Sequence, residues 1–317
     1  MRLLDFFLRD TIGIDPGSQH LRIIKDGKLV FNEPSKISID TNQITGLGNS
    51  TRLTEKDVTI KPVDCAIADF HGFEMLLRGA MKKGFESTSI IPKSCKIYFC
   101  IPTNTTEIEK RAYRDSAEHA GAVEVYMVYQ SCCAAIGLNT LFTQKNFIIV
   151  DFGSSKIEIT VFANSLIIST GFVRMGTDKI YRLVKNHIRR RHNLHLSDRD
   201  VEFLLDALKE NLKVLQIQEV SIKADEIREL LSHFFYLVND ELVDIVERIS
   251  KHNDINKILT NGIYFTGGGS LNNFLREQIK IGDQFKRTFS SNPLLDNING
   301  LKKILSERDK YKSYILV

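Results

Sequence analysis

Short apolar runs that break into glycine turns recur along the chain. Thr11-Ile12-Gly13-Ile14 leads into Asp15-Pro16-Gly17-Ser18 and then Leu21-Arg22-Ile23-Ile24. The device returns as Phe147-Ile148-Ile149-Val150, then Asp151-Phe152-Gly153-Ser154-Ser155, then Ile157-Glu158-Ile159-Thr160-Val161-Phe162. Each copy predicts a strand, a D-x-G-S turn and a second strand; the last strand alternates apolar and polar in part, as a hairpin strand does. A third apolar run, Ile263-Tyr264-Phe265, enters Thr266-Gly267-Gly268-Gly269-Ser270, and 271–279 reads as the following helix. Elsewhere the period is helical. Residues 179–188, 201–215 and 225–249 read as helices, the last two with Leu, Phe and Val stripes that belong to a core. Residues 302–312 read as a polar helix with a solvated face.

The first ten residues have an uneven wheel. Leu3, Leu4, Phe6, Phe7 and Leu8 cover one broad face, and Arg2, Asp5 and Arg9 fall on the other. Such a segment can lie in a membrane interface, although barely two turns do not hold a helix alone in water. The same residues could instead dock on the protein as part of the first strand.

The length of 317 residues suits two medium domains or one large one. Hydrophobic residues at 43% and charged residues at 26% describe an ordinary globular chain with a sizeable core. A net charge of +4 is a mild excess and not the footprint of a nucleic-acid binder. The densest basic run, Arg189-Arg190-Arg191-His192, follows a predicted helix, where cations suit the macrodipole. The five cysteines, Cys65, Cys95, Cys100, Cys132 and Cys133, are odd in number and lack a C-x-x-C spacing. That argues against a disulfide framework and a zinc site and points to free thiols in a reducing cytoplasm. No apolar run reaches the ~20 residues a membrane span needs, and the N-terminus lacks the pattern of a secretory signal.

The glycine turns carry the candidate chemistry. Glycine lets the chain curl tightly and aim its N–H groups inward, and successive inward N–H groups form a nest suited to phosphate. An aspartate at the strand end can hold magnesium through its water shell. Two such turns facing each other could clamp a polyphosphate: Gly17, Ser18 and Gln19 from one, Gly153, Ser154, Ser155 and Lys156 from the other, with Asp15 and Asp151 on the metal side. Gly267, Gly268 and Gly269 would let a nucleoside approach the backbone, at a helix N-terminus that favours anions. Lys156 could bind phosphate as a point charge or be a solvated lysine on its hairpin. No P-loop, G-x-G-x-x-G, H-E-x-x-H or G-x-S-x-G is present.

These three loops, in this order, resemble the actin-like ATPase superfamily, and the sequence around them looks like the MreB type of bacterial actin. Asn32-Glu33-Pro34-Ser35 matches that family, as do the stretch from Ile60-Lys61-Pro62-Val63-Asp64 to Phe70, Ile101-Pro102-Thr103, Ala134-Ala135-Ile136-Gly137, Gly176-Thr177-Asp178 and Asn292-Pro293-Leu294. The resemblance implies an α/β actin-like fold, two related domains with mixed sheets flanked by helices and a nucleotide cleft between them. Domain I would be residues 1–137 with a small outer subdomain at about 33–70. Domain II would be 138–317 with one at about 185–235 and a C-terminal helix able to return to domain I. It further implies ATP and Mg2+ as cofactors and self-assembly into paired protofilaments. Those filaments would lie in the cytoplasm, peripheral at the inner membrane, organise wall-elongation membrane proteins and bind no nucleic acid. The family often carries an N-terminal amphipathic segment.

Departures fall at the chemistry. Pro16 removes one backbone donor from the first turn. In the second, two of the family's glycines have become Ser154 and Ser155, and its paired threonines Lys156 and Ile157. The carboxylate that orients the attacking water in the family is replaced by Gln130, an amide that can still position water. Glu202 lies where the family contacts adenine, but the lysine beside it is Leu205, and the segment 197–226 looks shortened. An actin-like scaffold that polymerises or binds partners without hydrolysis is therefore an alternative to a slow ATPase. A sugar kinase or chaperone ATPase is a further one, though no kinase base motif is evident.

Overall fold

The computed structural model describes residues 10–40, 43–51, 58–85, 95–210, 212–280 and 285–317. The chain divides into two compact units: one runs up to Asn139 and adds Asp296–Val317, the other is Thr140–Leu295. The expected amphipathic stripe of Leu3, Leu4, Phe6, Phe7 and Leu8 lies outside the described residues.

In the first unit, β1 (Thr11–Pro16), β2 (His20–Lys25) and β3 (Lys28–Pro34) run antiparallel as a meander. A small sheet follows, of β4 (Ile37–Asp40), β5 (Gln43–Leu47) and β6 (Val58–Ile60), then the two-residue strands β7 (Val63–Asp64) and β8 (Ala66–Ile67). Helix α1 (Phe70–Gly84) begins where Asp69 accepts a hydrogen bond from the Gly72 amide. Its Phe73, Leu76, Leu77, Ala80 and Met81 recur at helical spacing and are fully buried. Strand β9 (Cys95–Ile101), helix α2 (Glu107–His119), strand β10 (Ala122–Tyr129) and helix α3 (Gln130–Gly137) complete this part. The five-stranded sheet has the order β3-β2-β1-β9-β10, with β1, β9 and β10 parallel.

The second unit repeats that sheet. After the short α4 (Thr140–Thr143), β11 (Phe147–Phe152), β12 (Ile157–Ala163) and β13 (Leu166–Val173) form an antiparallel meander. Helices α5 (Thr177–His192) and α6 (Asp198–Ala207) lead to the hairpin β14 (Val214–Ile217) and β15 (Val220–Lys223). Then come α7 (Ala224–Arg248), α8 (Ile255–Asn261), β16 (Ile263–Thr266), α9 (Asn273–Gln278) and β17 (Arg287–Phe289). The order is β13-β12-β11-β16-β17, with β11 parallel to β16 and β16 to β17, so the sheets correspond strand for strand. Ile148, Val150, Phe152, Ile159 and Val161 bury against Ile180, Val184 and Ile188 of α5 and Leu231, Phe234 and Val238 of α7.

The expected helix over 201–215 stops at Ala207, because 214–217 alternates exposed and buried with period two and turns back through Gln218 in the left-handed region. The tail also differs from a solvated helix. It forms α10 (Asp296–Ser306) and α11 (Arg308–Tyr311), which bury Leu301, Ile304 and Tyr311. Helix α10 lies directly on α3: a Cβ on Gly300 would sit 1.8 Å from the Cys133 carbonyl oxygen, and one on Gly137 2.2 Å from that of Asp296. Backbones this close require glycine.

Candidate functional site

The two D-x-G-S turns have the same local geometry. A Cβ on Gly17 would fall 2.8 Å from the His20 carbonyl oxygen, and one on Gly153 2.9 Å from that of Lys156, each three residues on. In the second turn the Gly153 amide donates to that carbonyl at 3.0 Å. In the first, the Ser35 hydroxyl donates to the Gly17 carbonyl at 2.5 Å, and the Ser35 amide to that of Gln19 at 3.0 Å. The loop carrying Ser18 and Gln19 is thus held from behind by Ser35.

The aspartates end the central strands. Asp15 is 3% exposed and pairs in register with Arg22 of β2, whose Nη1 lies 3.4 Å from Asp15 Oδ2. Burial pushes the Asp15 carboxyl above the ordinary carboxylate range, while Arg22 and the side chain of Gln130, the first residue of α3, pull the other way. Asp15 Oδ1 and Arg22 Nε are both buried without a hydrogen-bond partner. Burial and then the Arg22 charge lower the pKa of His20, so this ring is neutral at pH 7. The counterpart of Arg22 in the second hairpin is Glu158, paired in register with Asp151. It is 4% exposed and accepts from Lys156 Nζ at 2.5 Å. Lys156 is 9% exposed, which corrects its reading as a solvated lysine.

Helix α5 closes the second turn. The amides of Thr177 and Asp178 donate to the carbonyls of Gly153 (3.2 Å) and Ser154 (2.9 Å), and a Cβ on Gly176 would meet those oxygens at 2.4 and 2.5 Å. This fixes the loop that carries Ser154 and Ser155.

The three successive glycines differ in what they do. Gly267 has φ +80, and a Cβ there would lie 2.3 Å from Asp151 Oδ1. Gly269 is buried beneath the Phe152 ring, 2.5 Å from where its Cβ would be. Gly268 is exposed and would meet only Leu294 Cδ2 at 3.2 Å. A Cβ is thus excluded at Gly267 and Gly269 by their neighbours, and Gly268 faces outward. The expected helix over 271–279 is shorter. A 3-10 turn at Gly268–Leu271 intervenes, and α9 starts where Asn272 caps the Leu275 amide at 3.0 Å. Helix α6 adjoins this corner, because Asp206 accepts from Asn272 Nδ2 at 2.8 Å. Glu202 stands one turn earlier on α6, exposed, and accepts from the Tyr181 hydroxyl at 3.2 Å.

Within the first unit, therefore, Asp15, Gly17 and Gln130 come together. Within the second, Asp151, Gly153, Ser154, Lys156 and Gly267 do. Arg22, Glu158, Ser35 and Gly176 were not foreseen as members. The seven-residue spacing from Asp15 to Arg22 and from Asp151 to Glu158 was the available signal, since antiparallel strands around a short turn bring such residues face to face.

The absent Cβ atoms of Gly17 and Gly153 let each turn close tightly on the carbonyl three residues on. A divalent cation fits less well at the first turn, where the Asp15 carboxylate already faces a guanidinium. No group of three or more His, Cys, Asp or Glu suited to a metal ion occurs among the described residues.

Duplicated five-stranded sheets, each with a D-x-G-S hairpin on its central strand, define an actin-like protein. The chain is similar to MreB5 of Spiroplasma citri, solved bound to ADP, with a TM-score of 0.82 and 21% identity over 96% of this chain and 99% of that one. It resembles the MamK double helical filament subunit at a TM-score of 0.72 and 14% identity, over 94% and 99% of the two chains. A family model described as MreB/Mbl protein matches residues 9–313, and the chain belongs to that family of actin-like, cell shape-determining proteins. The cell shape-determining protein Mbl of Bacillus subtilis is 28% identical over 304 residues, 87% of this chain and 90% of the relative. MreB of Escherichia coli K12 is 25% identical over 252 residues, 75% and 72% of the two chains.

Proposed function

We propose that this protein binds ATP, polymerises, and scaffolds cell-shape and wall-elongation machinery at the inner membrane. The observation that carries the reading is the duplicated hairpin, with Gly17 and Gly153 in matching geometry behind Asp15 and Asp151. Solved relatives support it: MreB5 is described bound to ADP and to AMPPNP, and MamK as a double helical filament. In this reading Gly17, Ser18, Gln19, Ser154 and Ser155 meet phosphate through backbone N–H groups and hydroxyls, and Gly153, its amide bonded to the Lys156 carbonyl, holds the second turn closed around it. Lys156 stands beside them, its charge paired with Glu158. Gly268, between Gly267 and Gly269, meets the nucleoside, with Glu202 on its flank. Asp151 and Asp15 are the carboxylates a magnesium ion would meet through water. Self-association is the first partner interaction, and wall-elongation membrane proteins the second. Contact with the membrane surface falls to Leu3, Leu4, Phe6, Phe7 and Leu8. No described helix is long and apolar enough to cross a membrane.

A second reading, a filament that does not turn over nucleotide, is favoured by one feature. Gln130 bears on Asp15 as an amide rather than supplying a carboxylate for the attacking water. The test is pelleting with anionic liposomes, with and without ATP and magnesium, read by negative-stain microscopy and phosphate release. Nucleotide-dependent filaments on lipid support the proposal, and phosphate release separates ATPase from scaffold. A chain that stays monomeric and fails to retain nucleotide overturns it.

A further inference from the structure

The first hairpin carries a charge that its duplicate lacks. Opposite Asp15 stands Arg22, 9% exposed, whereas opposite Asp151 stands Glu158. The Arg22 guanidinium reaches back under the turn: Nη1 is 3.4 Å from Asp15 Oδ2 and 4.0 Å from where a Cβ on Gly17 would be. The pair is incompletely satisfied, with Nε of Arg22 and Oδ1 of Asp15 both buried and without partners. A buried donor left without an acceptor is costly, and Nη1 is the part of this guanidinium nearest the turn where an anion would arrive.

Charge counting gives the consequence. A lone carboxylate beside a polyphosphate repels it, and a dication has to stand between them. Here Asp15 and Arg22 sum to zero before any ligand arrives, and Lys156 with Glu158 does the same in the second turn.

We propose that Arg22 is the resident cation of the first phosphate turn, so that the chain takes a nucleoside triphosphate with little dependence on divalent metal. The inference rests on the nucleotide-binding reading above and specifies how that site balances charge. Arginine suits the role because it stays charged throughout the accessible pH range and offers five donors in a fixed fork.

The experiment is titration of the full-length protein with a fluorescent ATP analogue, in magnesium and in EDTA, for the wild type, Arg22→Gln and Arg22→Lys. Thermal melts establish that each variant is folded. The wild type is expected to lose less than about threefold in affinity on chelation. Arg22→Gln is expected to lose about tenfold or more, the usual worth of one charged hydrogen-bonding partner. Arg22→Lys should respond as the wild type does. A wild type that loses tenfold or more in EDTA overturns the inference while leaving nucleotide binding intact. An Arg22→Gln protein no more sensitive to chelation than the wild type overturns it as well. If a variant does not fold, the wild-type comparison decides alone. Failure of the wild type to bind the analogue in either condition overturns the nucleotide reading, and this inference with it.

Discussion

Asp15 and Arg22 face each other across the first hairpin, 3.4 Å apart and almost wholly removed from water. Removing one partner of a buried pair leaves the other charge uncompensated, which costs about 3 kcal/mol or more. Arg22→Met should lower stability by that amount at neutral pH. Burial already holds the folded-state pKa of Asp15 above the unfolded value against the pull of Arg22, and with Arg22 gone it rises further. A group shifted upward contributes stability at low pH and loses it as pH rises through its folded pKa. The deficit should therefore be smaller at about pH 5 than at about pH 8, and thermal unfolding at the two values checks this. An equal deficit at both would show that Asp15 does not feel the loss.

Gly268 and Gly269 should respond oppositely to alanine. At Gly269 the new methyl falls 2.5 Å from the Phe152 ring, in a packed core. Overpacking of this kind costs about 1–3 kcal/mol. Gly268→Ala, which meets only the end of Leu294, should stay within about 0.5 kcal/mol of wild type. Urea titration of both variants separates the glycine the core needs from the outward-facing one.

Gly300→Ala should be the more severe change in the first unit. Its Cβ would sit 1.8 Å from a backbone oxygen of α3, so the helices must move apart along their whole contact. A loss of about 3 kcal/mol is expected, read as a drop in thermal midpoint. An unchanged midpoint would mean that α10 is not held against α3.

Glu226 receives His187 Nε2 at 2.6 Å and His192 Nε2 at 3.0 Å on the same carboxylate oxygen. Burial works to raise its pKa, and the two histidine hydrogen bonds more than reverse that, leaving it below the ordinary value. A depressed carboxylate stabilises above its unfolded pKa, and the contribution disappears as pH falls through the folded pKa. Glu226→Gln should cost about 1 kcal/mol at about pH 6. The difference should close near about pH 3, where the wild-type carboxyl is protonated too. Parallel melting curves at both pH values test this.

Much of this architecture is local and could be read along the chain. Strand, D-x-G-S turn and strand announce the two hairpins, because glycine and short apolar runs act over a few residues. The three-glycine corner and the long amphipathic stripe of α7 are legible for the same reason. What tertiary structure decided is everything set by contacts distant in sequence. Lys156 reads as either a solvated or a phosphate-binding lysine until the packing around it leaves it 9% exposed beside Glu158. Gly269 reads as a ligand glycine until Phe152 is found against it. The tail reads as solvated until Ile304 and Tyr311 are found buried in the first unit, and the helix over 201–215 reads as continuous until β14 finds its hairpin partner. Burial and charge pairing depend on which surfaces meet, and hydrophobic period alone does not specify that. Arg22 shows the boundary most clearly. Its charge is plain in the sequence, but its place beneath the first D-x-G-S turn comes from cross-strand pairing and the removal of water around it.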